Sequence, residues 1–119
     1  MRKELIERNP LLKLSFEFSL GLIEYCEHLQ DEKKFIVANQ LLKSGTSIGA
    51  KAMEAQNPES KADFVHKMKI AAKEADDTQY WLWLCEYSKK YPDPAGLIEQ
   101  VEVLNKILGS IISTSKRNA

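Results

Sequence analysis

Prolines stand at three places in this 119-residue chain, at Pro10, Pro58 and the Pro92/Pro94 pair, and each separates two stretches of helical periodicity. Proline fits the first turn of a helix but breaks its interior. Asn9-Pro10 opens the first stretch, because Asn caps a helix and Pro at the first position loses no needed hydrogen bond. Leu11, Phe18, Leu22, Cys26 and Leu29 follow at steps of three, four or seven, which places them on one face. Leu12, Phe16, Leu20 and Ile23 form an adjacent stripe. The combined apolar arc is wider than one core requires, and it predicts a second buried contact with another subunit.

The remaining breaks define three further helices. The second is expected over about 32–56, with Asp31-Glu32 favouring its N-terminus. It carries Phe35, Ile36, Ala38, Leu41, Leu42, Ile48, Ala52 and Met53, and stops before Asn57-Pro58. Asn57 and Pro58 then cap and open a third helix over about 58–91, with Phe64, Met68, Ala71, Ala75, Leu82 and Cys85 on one face. Tyr91-Pro92-Asp93-Pro94 ends it, and a fourth runs over about 94–114 with Leu97, Val101, Leu104, Leu108 and Ile111 at helical spacing. Short connections between long helices favour antiparallel neighbours. The expectation is one domain over 1–119, an all-α antiparallel up-down-up-down four-helix bundle. A hydrophobic content of 44% suits a single packed core.

No pattern of catalytic residues emerges. Gly45-Thr-Ser-Ile-Gly49-Ala-Lys51 has the wrong spacing for a phosphate loop, no strand precedes it, and Ala52 stands where Ser or Thr is needed. Gly45 and Gly49 lie one turn apart, so they predict a close helix approach, with Ala71, Ala72 and Ala75 as a matching small surface. His28 and His66, the two histidines, make no two-ligand metal seed. Glu74, Asp76 and Asp77 read as a solvated or salt-bridged face. Cys26 and Cys85 read as buried free thiols in a reducing compartment. Glu4, Glu7, Glu17 and Glu24 interrupt the apolar stretch that follows Arg2 and Lys3, so no secretory h-region forms. The expectation is a cytoplasmic protein with no enzymatic activity, cofactor, metal or membrane contact.

Apolar and charged surfaces carry the functional signal instead. Tyr80-Trp-Leu-Trp-Leu-Cys-Glu-Tyr87 covers a whole helix circumference, so one face needs a cover beyond the core. Phe16, Leu20, Trp81 and Trp83 are the expected oligomer contacts, since aromatic anchors are enriched at interfaces. The formal net charge is zero, yet residues 1–19, 37–73 and 105–119 hold thirteen basic and six acidic side chains. The other segments hold four basic and eleven acidic. In the expected topology this separates charge along the long axis, and the positive end would attract a phosphate backbone.

Ser47-Ile48-Gly49-Ala50, Glu54-Ala55 and Glu59-Ser60-Lys61-Ala62-Asp63-Phe64 form an ordered set with Lys67, Ile70-Ala71, Lys73-Glu74-Ala75, Thr78 and Tyr80-Trp81-Leu82. In this set the chain resembles the small bacterial four-helix-bundle proteins encoded in intervening sequences of 23S rRNA genes, often labelled ribosomal proteins. Lys51 and Ala52 depart from the Asn-Ile more usual there, and Asp77 stands where Glu is commoner. The resemblance implies a homopentamer and no catalytic residues. A distant relative, the accessory variability determinant of diversity-generating retroelements, implies nucleic-acid and ribonucleoprotein binding through a basic surface. The expected RNA contacts are Arg2, Lys3, Arg8, Lys51, Lys61, Lys67, Lys116 and Arg117. A protein-interaction scaffold without nucleic-acid binding is the alternative expectation.

Overall fold

The computed structural model describes residues 3–118. It is all helical among these residues: α1 (Lys3–Arg8), α2 (Pro10–Asp31), α3 (Phe35–Glu54), α4 (Lys61–Tyr87) and α5 (Ala95–Arg117). The four long helices make an elongated bundle-like fold of 47 × 28 × 20 Å. Each packs on two others: α2 on α3 and α5, and α4 on α3 and α5. The backbones of α2 and α4, and those of α3 and α5, are not adjacent among the described residues, and these helices meet only through core side chains.

Side chains link the helices at both ends. Asn9 Nδ2 donates to Gln56 Oε1 at 3.4 Å, and Lys61 Nζ donates to the Asn118 carbonyl. At the opposite end the Tyr25 hydroxyl donates to the Pro92 carbonyl at 2.7 Å, and the Lys34 ammonium lies 5.1 Å from the Tyr91 ring centre.

The expected core stripes are largely buried, with Phe64 and Ile111 only partly so. Phe18, Leu22 and Leu29 of α2 meet Leu41 and Ile48 of α3, Met68 and Leu82 of α4, and Leu104 and Leu108 of α5 in one cluster. The apolar stretch of α3 divides differently, because Phe35 and Ile36 at its first turn are exposed. They precede the point where α3 is enclosed by its neighbours.

Helix boundaries follow local hydrogen bonding. Asn9 caps α2 as expected, its side chain accepting from the backbone of Leu11 at 3.0 Å and Leu12 at 3.3 Å. The short α1 was not expected, since the six residues Lys3–Arg8 bury nothing and carry little periodic signal. Asp31 and Glu32 do not open α3; Asp31 is the last residue of α2. A Schellman turn ends α2 there, with Lys34 N–H donating to the Leu29 carbonyl and Lys33 N–H to the Gln30 carbonyl. Lys33 takes the left-handed conformation, φ 65°, usually given to glycine. Asn57 and Pro58 stay outside α4, because Ser60 is its cap and accepts from Asp63 N–H at 3.0 Å. α4 ends at Tyr87, short of Tyr91, where tertiary contacts to Tyr25 and Lys34 hold residues 88–92 out of the helix.

Gly45 sets the spacing of α3 on α2. A Cβ at Gly45 would stand 2.0 Å from Leu22 Cδ2, and one at Gly49 would stand 3.1 Å from Ser15 Oγ. The close partner is therefore α2, not the expected alanines of α4. On the adjoining face Ser44 Oγ hydrogen-bonds Thr78 Oγ1 of α4 at 2.8 Å, with both side chains buried.

These contacts decide the sign of two glycine substitutions. Alanine raises helix propensity by about 1 kcal/mol at an exposed interior position. Gly109 has open space around its Cβ site. Gly109→Ala is expected to stabilise the chain by about that amount. Gly45→Ala is expected to destabilise it by about 1–3 kcal/mol, because overpacking at Leu22 outweighs propensity. Urea unfolding of the two variants checks both signs.

Candidate nucleic-acid interface

The first turns of α4 and the last turns of α5 form a groove lined by Lys61, Ala62, Val65, His66, Lys69, Ser115 and Lys116. Three lysines thus border one cleft whose lining is mostly apolar, with Ala62 and Val65 in its floor. The residues reach it by helical spacing: 62, 65, 66 and 69 recur on one side of α4. Lys61 and Lys116 were expected at a nucleic-acid surface. His66 and Lys69 were not, although their spacing from Lys61 and Ala62 would have placed them on the same side.

The other expected contacts do not join this groove. Lys67 points to another side of α4 and pairs with Asp63 at 3.1 Å. Lys51 pairs with Glu54 on α3 at 3.3 Å. Lys3 and Arg8 lie on α1. Arg117 donates to Thr114 Oγ1 at 3.4 Å within α5. Arg2 lies outside the described residues. Lys61 also has a structural task, since its ammonium closes the last turn of α5 through the Asn118 carbonyl.

Charge separation along the axis is smaller than sequence counting suggests. Lys43 and Lys73, counted with the basic end, share a groove with Glu74 and Asp77 near the middle of α3 and α4. They compensate one another there. The basic balance of the end itself rests on the terminal turns.

Asp63 holds the entry to this region. Its carboxylate accepts from Glu59 N–H at 3.0 Å and faces Lys67. The Glu59 N–H first, and Lys67 second, keep its carboxyl below the usual value of 3.8.

Two apolar surfaces stay outside the core. Phe16 and Leu20 on α2 are 50% and 52% exposed, and Ile23 continues their line. On α4, Tyr80, Trp83, Leu84 and Tyr87 form a second exposed patch. The structure divides the two tryptophans: Trp81 is half-buried and packs against the core, whereas Trp83 faces outward. Trp81 is therefore a weaker interface candidate than Trp83. Tyr80 and Tyr87 were missed, though both fall at helical spacing from Trp83.

Cys26 and Cys85 are buried free thiols. Burial pushes the Cys26 thiol up to about 11. It raises Cys85 as well, opposed by the neighbouring Tyr25 hydroxyl. Burial, and then Cys85, push the Tyr25 phenol upward. Among the described residues no three His, Cys, Asp or Glu side chains gather in a metal-binding group. No described helix is long and apolar enough to cross a membrane.

A helical bundle-like fold with this ordered set of residues defines a protein class. Residues 7–110 match the model of the 23S rRNA-intervening sequence protein family, and the chain belongs to that family. A solved structure from Bacteroides thetaiotaomicron VPI-5482, described as a protein with unknown function from the S23 ribosomal protein family, is similar at 37% identity. The match has a TM-score of 0.81 and covers 86% of this chain and 97% of that one. No curated protein matches.

The Asp63 arrangement has a definite pH signature. Its depressed folded pKa stabilises the fold above the unfolded value, and that gain is lost as pH falls through the folded value. Asp63→Asn is expected to lower the melting temperature at pH 7. The difference from wild type should shrink as pH drops below 3.8. Thermal melts between neutral and strongly acid pH measure it.

Proposed function

We propose that this chain is a non-enzymatic cytoplasmic protein that self-associates and binds structured RNA as a ribonucleoprotein accessory. Its protomer is a single antiparallel up-down-up-down four-helix bundle. The links between Asn9 and Gln56, and between Tyr25 and Pro92, support that topology. A homopentamer is the assembly that the resemblance implies. The observation carrying the RNA reading is the groove of Lys61, His66, Lys69 and Lys116 between α4 and α5. Ammonium groups along a cleft neutralise successive phosphates without reading sequence. Several copies in one assembly would repeat the groove, and avidity would multiply a weak monomeric attraction.

Exposed Phe16, Leu20 and Trp83 also favour a second reading, a protein scaffold without nucleic-acid binding. Filter binding of structured RNA at low salt separates the two. The RNA reading predicts sequence-tolerant retention that falls steeply as salt rises. It also predicts that Lys69→Glu with Lys116→Glu weakens binding about tenfold or more by removing phosphate contacts. No retention at low salt would favour the scaffold, and unchanged affinity in the double variant would reject the groove.

A further inference from the structure

The two exposed apolar surfaces lie on α2 and α4, whose backbones are not adjacent among the described residues. Phe16, Leu20 and Ile23 follow one another along α2 at steps of four and three. Tyr80, Trp83, Leu84 and Tyr87 follow along α4 at the same periodicity. Each stripe is flanked by exposed charge of opposite sign at its two ends. On α2, Lys13 precedes the stripe, and Glu24 and Glu27 follow it. On α4, Asp76 and Asp77 precede the stripe, and Lys89 and Lys90 follow it in the turn beyond the helix end at Tyr87. Glu27 lies fourteen positions beyond Lys13, and Lys90 fourteen positions beyond Asp76. None of these seven charged groups takes part in a salt bridge within the described chain, although Asp77 also shares a groove with Lys43 and Lys73.

We infer that the α2 stripe of one copy docks on the α4 stripe of a second copy, with the two helices parallel. This rests on the self-association reading above and specifies its interface. Parallel docking sets Lys13 beside Asp76 and Asp77, and Glu24 and Glu27 beside Lys89 and Lys90. Antiparallel docking would oppose Lys13 to Lys89 and Lys90, and Glu24 and Glu27 to Asp76 and Asp77. Like charges across an interface disfavour that orientation. Within one chain α2 and α4 both run from the Asn9/Lys61 end to the Tyr25/Tyr91 end. Successive copies therefore point the same way. Two different patches meeting head to tail generate a ring if the rotation closes, and a filament if it does not. In either case every copy presents its α4–α5 groove at the same side of the assembly.

Mixing two disabled variants tests the pairing. Leu20→Asp removes the α2 stripe, and Trp83→Asp removes the α4 stripe; both positions are exposed, and circular dichroism verifies that each variant folds. Light scattering should give a monomer for each variant alone and a heterodimer for their equimolar mixture, through the one intact pairing. Two monomers on mixing, or either variant keeping the wild-type mass, would overturn the pairing while leaving self-association standing. A monomeric wild type at high micromolar concentration would overturn both. Lys13→Glu tests orientation. It should raise the concentration for half-dissociation several-fold, and adding Asp76→Lys with Asp77→Lys should restore it. Tighter assembly of Lys13→Glu would overturn the parallel arrangement.

Discussion

The close seat of α3 on α2 at Gly45 governs the rest of this structure. Without a side chain at that position, Leu22 occupies the space where a Cβ would stand, and Phe18 lies beside it. The neighbouring residue of α3, Ser44, reaches in the other direction to Thr78 of α4. Two successive residues thus fix α3 between both of its partners. The arrangement consumes the inner face of α2, from Leu11 through Leu29. It leaves Phe16, Leu20 and Ile23 exposed on the outer side, with Phe16 bordering a groove shared with Ile6 of α1 and Ala50 and Met53 of α3. The outward stripe is a consequence of how tightly the inner one is packed.

Charge at the helix ends serves folding before it can serve binding. Lys61 closes α5, Asp63 braces the chain before α4 while engaging Lys67, and Lys116 and Arg117 sit where the α5 dipole favours cations. Exposed ion pairs contribute little, on the order of 1 kcal/mol or less, so Lys51 and Lys67 can exchange their carboxylates for phosphate at small cost. The groove gains its character from Lys69 and Lys116, together with the share of Lys61 that its carbonyl partner leaves.

Core and breaks were legible because they depend on local rules. Asn9-Pro10 carries its cap in its own side chain, and the Leu11–Leu29 stripe is read from spacing alone. Acidic Asp31-Glu32 misled because a dipole preference is weaker than the Schellman hydrogen bonds around Lys33, which leave no glycine to mark them. Likewise Ser60 displaced Asn57 as a cap because Ser60 and Asp63 satisfy the first turn together. The end of α4 depends on Tyr25 and Lys34, far away in sequence, and no local pattern announces it. At the candidate interface, Lys61 and Lys116 were found by charge counting, but counting alone could not align His66 and Lys69 with them or cancel Lys43 against Glu74 and Asp77.

An account in which α2 of one copy covers α4 of the next makes Trp83 the reporter of assembly. It is 47% exposed in the isolated chain, while Trp81 packs inward. In a Trp81→Phe background, Trp83 fluorescence followed across dilution, with mass measured in parallel, tests the claim most directly. Emission should lie to the blue in the assembled protein and move to the red as the mass falls to that of one chain. Water-exposed emission from Trp83 in a fully assembled sample would contradict it.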